Sequence, residues 1–369
     1  MMEFRKGLLT AVSKSDCATD KLLNAQKNIL YIDNAKRQYV IKTLKDDYYL
    51  TLEQSALDML NGLKEFDIVE FYSENKFRIV FSAGPDGATL FVTNKCNSNC
   101  IMCPCSELFR QKNDIETVEH LCSIIEYLPD DVHFITITGG EPTLIRESMF
   151  VLLEKICNHF QSNTQFLILT NGRSFSVDSY LKQFLKSAPN RLLFGIPIYG
   201  YSSETHDYIT QAPGSFVQTV KGLKNLLRYG QKIELRIVVS NLNLSYMDYI
   251  AQFIVRELKG VSCVNIMAIE MCGAAAKNRS IVWVDYKEAF QASKNAIKIL
   301  MKSGIDISLY NFPLCKVDKG YWALCHKSIS DYKISYYDSC QECSVKDLCG
   351  GVFRSTLALT KMELSPFKR

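Results

Sequence analysis

The sequence of 369 residues lacks the features of a membrane protein and of a nucleic-acid-binding protein. No apolar run approaches the roughly 20 residues that a transmembrane helix needs. The N-terminal segment has only a short apolar patch interrupted by charge, so no secretory signal is predicted. The 43 basic and 39 acidic residues leave a net charge of +4, which is too small to favour nucleic acid or an anionic membrane as the main partner. We therefore expect a cytoplasmic protein with neither kind of partner.

Histidine is scarce, whereas cysteine is abundant. Only five histidines are present, and those at positions 120, 133, 159 and 326 stand at no metal-ligand spacing. The chain has 14 cysteines. In a reducing compartment, such a number points to metal ligation and not to a disulfide framework.

The most informative motif is the run Cys96, Cys100 and Cys103 in the segment LFVTNKCNSNCIMCPC, directly after a strand-like stretch. Three thiolates within eight residues do not complete a four-ligand structural zinc site. A 4Fe-4S cluster held by only three cysteines keeps one iron open for another ligand. The alternatives are a structural metal knuckle or simple buried thiols.

A second motif, Gly139-Gly140-Glu141-Pro142, stands at the end of another β-rich run in HFITITGGEPTL. Taken alone, it is an ordinary turn that ends a strand. It follows the three-cysteine segment and an intervening helical pattern, which favours a role in the same site.

From residue 88 onward, short β-rich runs alternate with longer amphipathic ones, a pattern typical of βα units and a parallel sheet. Strands are predicted at 88–93, 132–138, 164–170, 191–198, 232–239 and 263–269. Helices are predicted at 115–127, 148–159, 177–186, 216–228, 246–258 and 286–303. A Rossmann sheet is disfavoured because Gly139-Gly140 lacks the G-x-G-x-x-G spacing.

The two motifs and the six repeats resemble the radical SAM superfamily, whose cluster cleaves S-adenosylmethionine reductively to a 5'-deoxyadenosyl radical. The resemblance implies an α/β fold with a partial (β/α)6 TIM barrel and the cofactor at the C-terminal ends of its strands. It also implies that Gly139 and Gly140 approach the methionine part of the cofactor, where a Cβ would not fit, with Pro142 closing the motif. Glu141 would then help to hold the cofactor's ammonium group, and Met102 would contact its adenine.

Two further residues are weaker candidates for cofactor contacts. Asn171 follows the third predicted strand, as often in the superfamily, although Asn-Gly is also a common turn dipeptide. Arg236 is a charge within the apolar run ELRIVV. It either pairs with the cofactor carboxylate or faces outward from its strand.

A second cysteine group lies near the C-terminus, where Cys340, Cys343 and Cys349 have the spacing Cys-x2-Cys-x5-Cys and Cys315 stands upstream. Four thiolates suit either a closed cluster or a zinc site. The region resembles the SPASM or shorter twitch extensions of radical SAM maturases, which implies an auxiliary 4Fe-4S cluster. Zinc stays open as the alternative.

The domain organisation expected from these patterns has three parts. Residues 1–87 form a small β-rich N-terminal domain with a hairpin around Ser73 to Asn75, and a Gly/Pro/Asp linker at 82–89 leads out of it. Residues 88–304 form the radical SAM core. Residues 305–369 form the Cys-rich auxiliary-cluster extension. The N-terminal domain either captures a peptide through a sheet edge or caps the barrel.

Several segments in order, among them LFVTNKCNSNCIMC, TGGEPTL, KSISDYK and CGGVF, resemble the His-Xaa-Ser system radical SAM maturases of the HxsC type. This resemblance implies a maturase that modifies a ribosomally synthesised precursor peptide. It also implies a flavodoxin- or ferredoxin-type reductant and, as a candidate partner, a second radical SAM maturase. The alternatives are a radical SAM enzyme acting on a small molecule or nucleotide, and an inactive Fe-S scaffold subunit. No side chain is named as a general acid or base.

Overall fold

The N-terminal part of the chain forms a six-stranded sheet. The structure is a computed structural model that describes residues 7–33, 35–82, 87–112, 117–330, 332–360 and 362–367. The strands of this sheet are β1 (Leu8–Ser13), β2 (Ile29–Asp33), β3 (Gln38–Lys42), β4 (Asp47–Tyr49), β5 (Ile68–Ser73) and β6 (Lys76–Phe81), in the spatial order β4-β3-β2-β1-β5-β6. Helices α1 (Asp16–Asn24) and α2 (Gln54–Asn61) belong to the same part. The predicted hairpin is confirmed because Ser73 pairs with Lys76 across its turn, whereas most of the predicted linker, 83–86, lies outside the described residues.

The central part of the chain alternates strands and helices, as predicted. Its strands are β7 (Ala88–Phe91), β8 (Phe134–Thr138), β9 (Gln165–Leu169), β10 (Leu192–Pro197), β11 (Lys232–Val239) and β12 (Cys263–Ala268). Its helices are α3 (Glu107–Gln111), α4 (Val118–Tyr127), α5 (Glu147–His159), α6 (Asp178–Ser187), α7 (Ser203–Thr210), α8 (Ser215–Arg228), α9 (Met247–Glu257), α10 (Gly273–Lys277), α11 (Arg279–Val282) and α12 (Tyr286–Lys302). All six strands pair in parallel with their sequence neighbours. The α/β fold with a parallel sheet is therefore confirmed.

The parallel sheet has eight strands, two more than predicted. Strands β13 (Asp306–Tyr310) and β14 (Cys325–His326) continue it in parallel beyond β12. Both belong to the segment 305–369 that was assigned to the C-terminal extension. Sequence reasoning missed them because β14 is only two residues long and β13 lacks a following helix of its own. In the part of the chain that the structure describes, the terminal strands β7 and β14 do not pair with each other, so the barrel is open.

The rest of the C-terminal segment is short and irregular. It contains the antiparallel pair β15 (Ile334–Ser335) and β16 (Val352–Phe353), followed by α13 (Arg354–Leu359). Between these elements lie single 3-10 turns, such as Asp338–Glu342 and Lys346–Leu348.

The N-terminal sheet is packed against the barrel through a shared apolar core. Leu9, Ile68 and Phe81 of that sheet belong to the same cluster of buried side chains as Leu121 and Ile125 of α4. Burying such side chains contributes roughly 1.5–3 kcal/mol each. The N-terminal sheet is therefore not a separable appendage.

A buried carboxylate reinforces this contact. Glu70 on β5 is only 2% exposed. It accepts hydrogen bonds from Arg78 Nε at 2.6 Å and from the Tyr72 hydroxyl at 2.8 Å. His120 on α4 approaches the other carboxylate oxygen through Nε2, at 3.0 Å. Glu70 thus joins β6 of the N-terminal sheet to helix α4 of the barrel.

We predict that Glu70→Ala lowers the free energy of unfolding by about 2 kcal/mol, because it removes a buried carboxylate together with its charge-assisted hydrogen bonds. The measurement is urea denaturation followed by circular dichroism. The control is Glu126→Ala, which removes an exposed carboxylate paired with Lys155 and should cost at most about 1 kcal/mol. Equal losses for the two variants would show that Glu70 does not join the two parts.

Candidate active site

The three-cysteine loop and the carboxyl ends of five strands enclose one cavity of about 300 Å³. Cys96, Cys100 and Cys103 all line it. The strands contribute Thr138, Leu169, Pro197, Val238 and Met267. Because parallel strands present their C-terminal ends on the same side of the sheet, the site lies where barrel chemistry is generally found.

Two arginines fix the part of the loop between Cys96 and Cys100. Arg173 donates through Nη1 to Ser98 Oγ at 3.0 Å and also to the carbonyl of Asn97. Arg110 donates through Nη1 to the Ser98 carbonyl at 3.2 Å. Sequence reasoning named neither arginine. Arg173 directly follows the Asn171-Gly172 turn and could have been noticed there, whereas no spacing points to Arg110.

Backbone hydrogen bonds hold the rest of the loop. The amide of Ile101 donates to the carbonyl of Ile209 at 2.9 Å, and the amide of Ala274 donates to the carbonyl of Cys103 at 2.9 Å. The loop is therefore attached to helices α7 and α10 as well as to the sheet. This attachment preorganises the three thiols around the cavity.

The electrostatics of the three thiols suit a positively charged group. Burial, reinforced by the neighbouring thiols of Cys103 and Cys96, raises the pKa of Cys100 to about 12. Burial also raises the pKa of Cys96, while a hydrogen bond with Cys105 lowers that of Cys103 to about 6. Thiolates are the natural ligands of an iron-sulfur cluster, whose iron would replace these protons.

The spacing between the three thiols also suits a cluster. Within the described ranges, no three His, Cys, Asp or Glu side chains converge on a point that could hold a single metal ion. The thiolates of a 4Fe-4S cluster surround a volume, since each binds a different iron. The donor set and the cavity at Cys96, Cys100 and Cys103 therefore fit such a cluster.

Gly139 and Gly140 line the cavity with their backbone, but the space that they leave open is occupied by the protein itself. A Cβ on Gly140 would lie 2.3 Å from the carbonyl oxygen of Lys95, and one on Gly139 would lie 2.5 Å from that of Thr93. The amide of Gly140 donates to the Thr93 carbonyl at 2.7 Å. The glycines thus allow the chain just before Cys96 to lie directly on the second motif. This differs from the expectation that a Cβ here would meet the cofactor.

Glu141 lies behind the cavity wall, together with the buried Pro142. The carboxylate is fully buried and accepts hydrogen bonds from Thr143 Oγ1 at 2.6 Å, Thr170 Oγ1 at 2.7 Å and the Asn171 amide at 2.7 Å. These bonds join the ends of β8 and β9. The structure therefore engages Glu141 in the protein scaffold, whereas the resemblance implied a contact with the cofactor ammonium.

The other three predicted cofactor contacts do line the cavity: Met102, Asn171 and Arg236. Asn171 donates through Nδ2 to Asn97 Oδ1 at 2.6 Å, which ties it to the loop. Arg236 faces into the barrel, with its Nε 3.6 Å from Oε1 of Glu234. Arg236 thus lines the cavity with the buried Glu234 carboxylate near its guanidinium.

The second cysteine group also assembles around one space. Cys315, Cys340, Cys343 and Cys349 line a smaller cavity of about 20 Å³. The amides of Leu314 and Gly351 each donate to Cys349 Sγ at 3.4 Å. Burial raises the pKa of Cys315 and of Cys340. Cys315 thus lines the same cavity as the three cysteines of a later segment of the chain.

We predict that Gly140→Val reduces the iron bound at the three-cysteine loop, because its side chain would displace the backbone that carries Cys96. The measurement is iron content after anaerobic reconstitution. Gly320→Val is the matched control, since a Cβ there meets no atom within 4 Å. Full iron content together with weakened S-adenosylmethionine binding would instead support the original expectation for this glycine.

Comparison with known proteins points to the family that the sequence motifs resemble. Residues 90–254 match the family described as the Radical SAM superfamily. The antilisterial bacteriocin subtilosin biosynthesis protein AlbA of Bacillus subtilis is 26% identical over 215 residues, which are 56% of this chain and 45% of AlbA. The radical SAM cyclopropyl synthase TigE of Paramaledivibacter caminithermalis is 23% identical over 261 residues, 65% of this chain and 51% of TigE. The chain thus spans about half the length of these relatives.

Among solved structures, Streptococcus suis SuiB bound to the precursor peptide SuiA is similar with a TM-score of 0.47 and 11% identity, over 60% of this chain and 48% of SuiB.

Among the described residues, no helix is both long and apolar enough to cross a membrane.

The expected resemblance to the radical SAM superfamily is supported over residues 90–254, the part of the chain that carries both the three-cysteine loop and the Gly139-Gly140 segment.

Proposed function

We propose that this protein is a radical SAM maturase that modifies a ribosomally synthesised precursor peptide. The observation that carries the radical chemistry is the single cavity shared by the three thiols, the Gly139-Gly140 backbone and Arg236. The peptide substrate is supported by the similarity to AlbA, which is named as a bacteriocin biosynthesis protein. It is also the substrate class implied by the resemblance to the HxsC-type maturases.

In this proposal, each side of the cavity has a separate task. Cys96, Cys100 and Cys103 hold the cluster. When bound, the cluster and S-adenosylmethionine supply a 5'-deoxyadenosyl radical. Arg236 offers a guanidinium suited to a carboxylate, and Met102 contributes a soft apolar wall for an aromatic base. The protein's part is to bind, to orient and to exclude water.

The second cysteine group would hold an auxiliary 4Fe-4S cluster, as in the twitch or SPASM extensions. The convergence of Cys315, Cys340, Cys343 and Cys349 supports a bound metal group there. Zinc stays the alternative for four thiolates.

The N-terminal sheet offers a place where a peptide could add as a strand. Strand β4 lies at the edge of that sheet, and Tyr49 at its end is 69% exposed. The amide of Leu50 bonds to the carbonyl of Tyr39. In an antiparallel ladder, the alternate residue Tyr49 therefore points its amide away from β3, toward a strand that could be added.

We predict that the reconstituted protein holds about eight irons, from one three-cysteine and one four-cysteine cluster. Changing Cys96, Cys100 and Cys103 together to Ala should remove about half of the iron and abolish formation of 5'-deoxyadenosine, measured by chromatography. The corresponding change of Cys340, Cys343 and Cys349 should remove the other half. About four irons with zinc in the second site would refute the auxiliary cluster and leave the radical site intact.

We predict that Tyr49→Pro prevents modification of a co-expressed precursor peptide, because proline removes the outward amide of β4 without breaking its bond to β3. Peptide mass spectrometry measures the modification. Tyr49→Ala keeps the amide and serves as the control. S-adenosylmethionine cleavage without peptide should stay normal in both variants.

If Tyr49→Pro still modifies the peptide at the normal rate, the peptide is captured elsewhere. If no precursor is modified and a small molecule stimulates 5'-deoxyadenosine formation, the alternative of a small-molecule or nucleotide substrate is correct. If the protein binds iron but never forms 5'-deoxyadenosine, it is a scaffold subunit.

A further inference from the structure

The outer side of the three-cysteine loop carries a second, separate groove of about 530 Å³. It is lined by the loop residues Asn99, Cys100 and Ile101 and by side chains of α3, α7, α10 and α11. We propose that this groove is the docking surface for an acidic one-electron carrier protein that reduces the cluster. The inference rests on the proposed cluster but not on the identity of the substrate.

The position of Cys100 is the first argument. Cys100 lines both the inner cavity and the outer groove. Cys100 and Arg110 thus stand between this groove and the cluster that Cys100 would hold. The cofactor and substrate occupy the inner side, so the outer side gives an electron a short path that does not cross their cavity.

The exposed apolar side chains are the second argument. Leu108 on α3 is 75% exposed, Tyr208 on α7 is 54% exposed and Ile281 on α11 is 42% exposed. All three line this groove, although they come from separate elements. Converging apolar side chains with a polar surround mark a protein interaction site.

The charges at the groove specify the kind of partner. The basic residues that line the groove are Arg110 and Lys277, and the acidic residue is Glu107. The ion pair between Lys277 and Glu107 is long, 3.7 Å, and both side chains are more than half exposed. Such a pair is weak, so Lys277 is available to a carboxylate of an acidic carrier.

The elements of the groove also argue against a peptide strand as the occupant. It is lined by helices and by the loop, whose amides at Asn99 and Ile101 already donate to α7 carbonyls at 2.9 Å. It therefore offers no free strand edge for an extended peptide. A compact protein that contacts a small apolar patch fits better, since electron-transfer complexes have small interfaces.

The proposed step balances simply. One electron passes from the reduced carrier, an iron-sulfur or flavin protein, to the oxidised cluster. The carrier is oxidised by one electron and the cluster is reduced by one. No bond is formed or broken, and no proton is needed from a side chain of the groove.

The test compares two reductants on the anaerobically reconstituted full chain. Reduced flavodoxin must dock, whereas dithionite is small and need not. The variants are Leu108→Asp combined with Ile281→Asp, and Lys277→Glu alone. The readout is the rate of bleaching of the cluster's visible absorption in a stopped-flow instrument. We expect each variant to slow bleaching by flavodoxin about tenfold, with the rate for dithionite unchanged.

The controls carry the same kinds of change on remote surfaces. Val151→Asp alters an exposed apolar residue of α5, and Lys302→Glu alters the end of α12. Both should be reduced by flavodoxin at the normal rate. The effect of Lys277→Glu should diminish at high salt, because an exposed charge interaction is screened.

Four results would overturn the proposal. The first is an unchanged flavodoxin rate in both groove variants. The second is an equal slowing with dithionite, which would mean that the changes disturb the cluster itself. The third is a dimer that the groove variants dissociate while flavodoxin still reduces them normally. Absence of any bleaching in the unmodified protein would refute the cluster and with it this surface, a result distinct from failure to modify a peptide.

Discussion

The site depends on the direct backbone contact between the three-cysteine loop and the Gly-Gly segment. The amide of Gly140 bonds to the Thr93 carbonyl at 2.7 Å, and that of Glu141 bonds to the Lys95 carbonyl at 2.8 Å. The two backbones can lie this close only because the Gly-Gly segment has no side chains. It places Cys96 one residue beyond an anchored backbone. The cavity, the thiols and the outer groove all take their position from this contact.

Behind this contact stands a fully buried carboxylate. Glu141, which follows β8, accepts bonds from Thr143 in the next turn and from Thr170 at the end of β9. An unpaired carboxylate in such a place would be costly, but hydrogen bonding makes the site rigid. Arg173 then extends the same scaffold to the loop at Ser98. Polar groups around the cavity thus determine the geometry of the thiols. Some of these groups do not line the cavity, and the others line it at its margin.

The sequence predicted the structure well wherever the pattern depends on residues close together in the chain. All six predicted strands of the core appear, and the helix predicted at 286–303 is found at Tyr286–Lys302, because burial on one face imposes a periodic pattern. Strand β14 was not predicted, since two residues carry no periodicity and only the neighbouring strand makes them a strand. Ligand spacing grouped Cys340, Cys343 and Cys349, and the resemblance to the twitch and SPASM extensions implied Cys315 as their partner. The burial of Glu141 and the role of Arg110 could not be predicted, because each depends on contacts between segments far apart in the chain.

For the N-terminal sheet, the domain boundary suggested by the sequence pattern differs from the one suggested by the packing of side chains. Its β-rich composition suggested an independent unit. Leu9 and Phe81, however, are buried in the same core as α4 of the barrel. The same sheet could therefore serve as a cap at its inner face and as a peptide site at its free edge, since β4 lies at the opposite side from β1 and β5.

The central claim is that the three-cysteine loop holds a cluster with one iron open to S-adenosylmethionine. The most direct measurement is electron paramagnetic resonance of the reduced protein with and without S-adenosylmethionine, in a variant that lacks Cys340, Cys343 and Cys349. The account predicts a 4Fe-4S signal whose g values change when S-adenosylmethionine is added, because the cofactor binds an iron of the cluster directly. A signal that is absent, or that S-adenosylmethionine leaves unchanged, would contradict it.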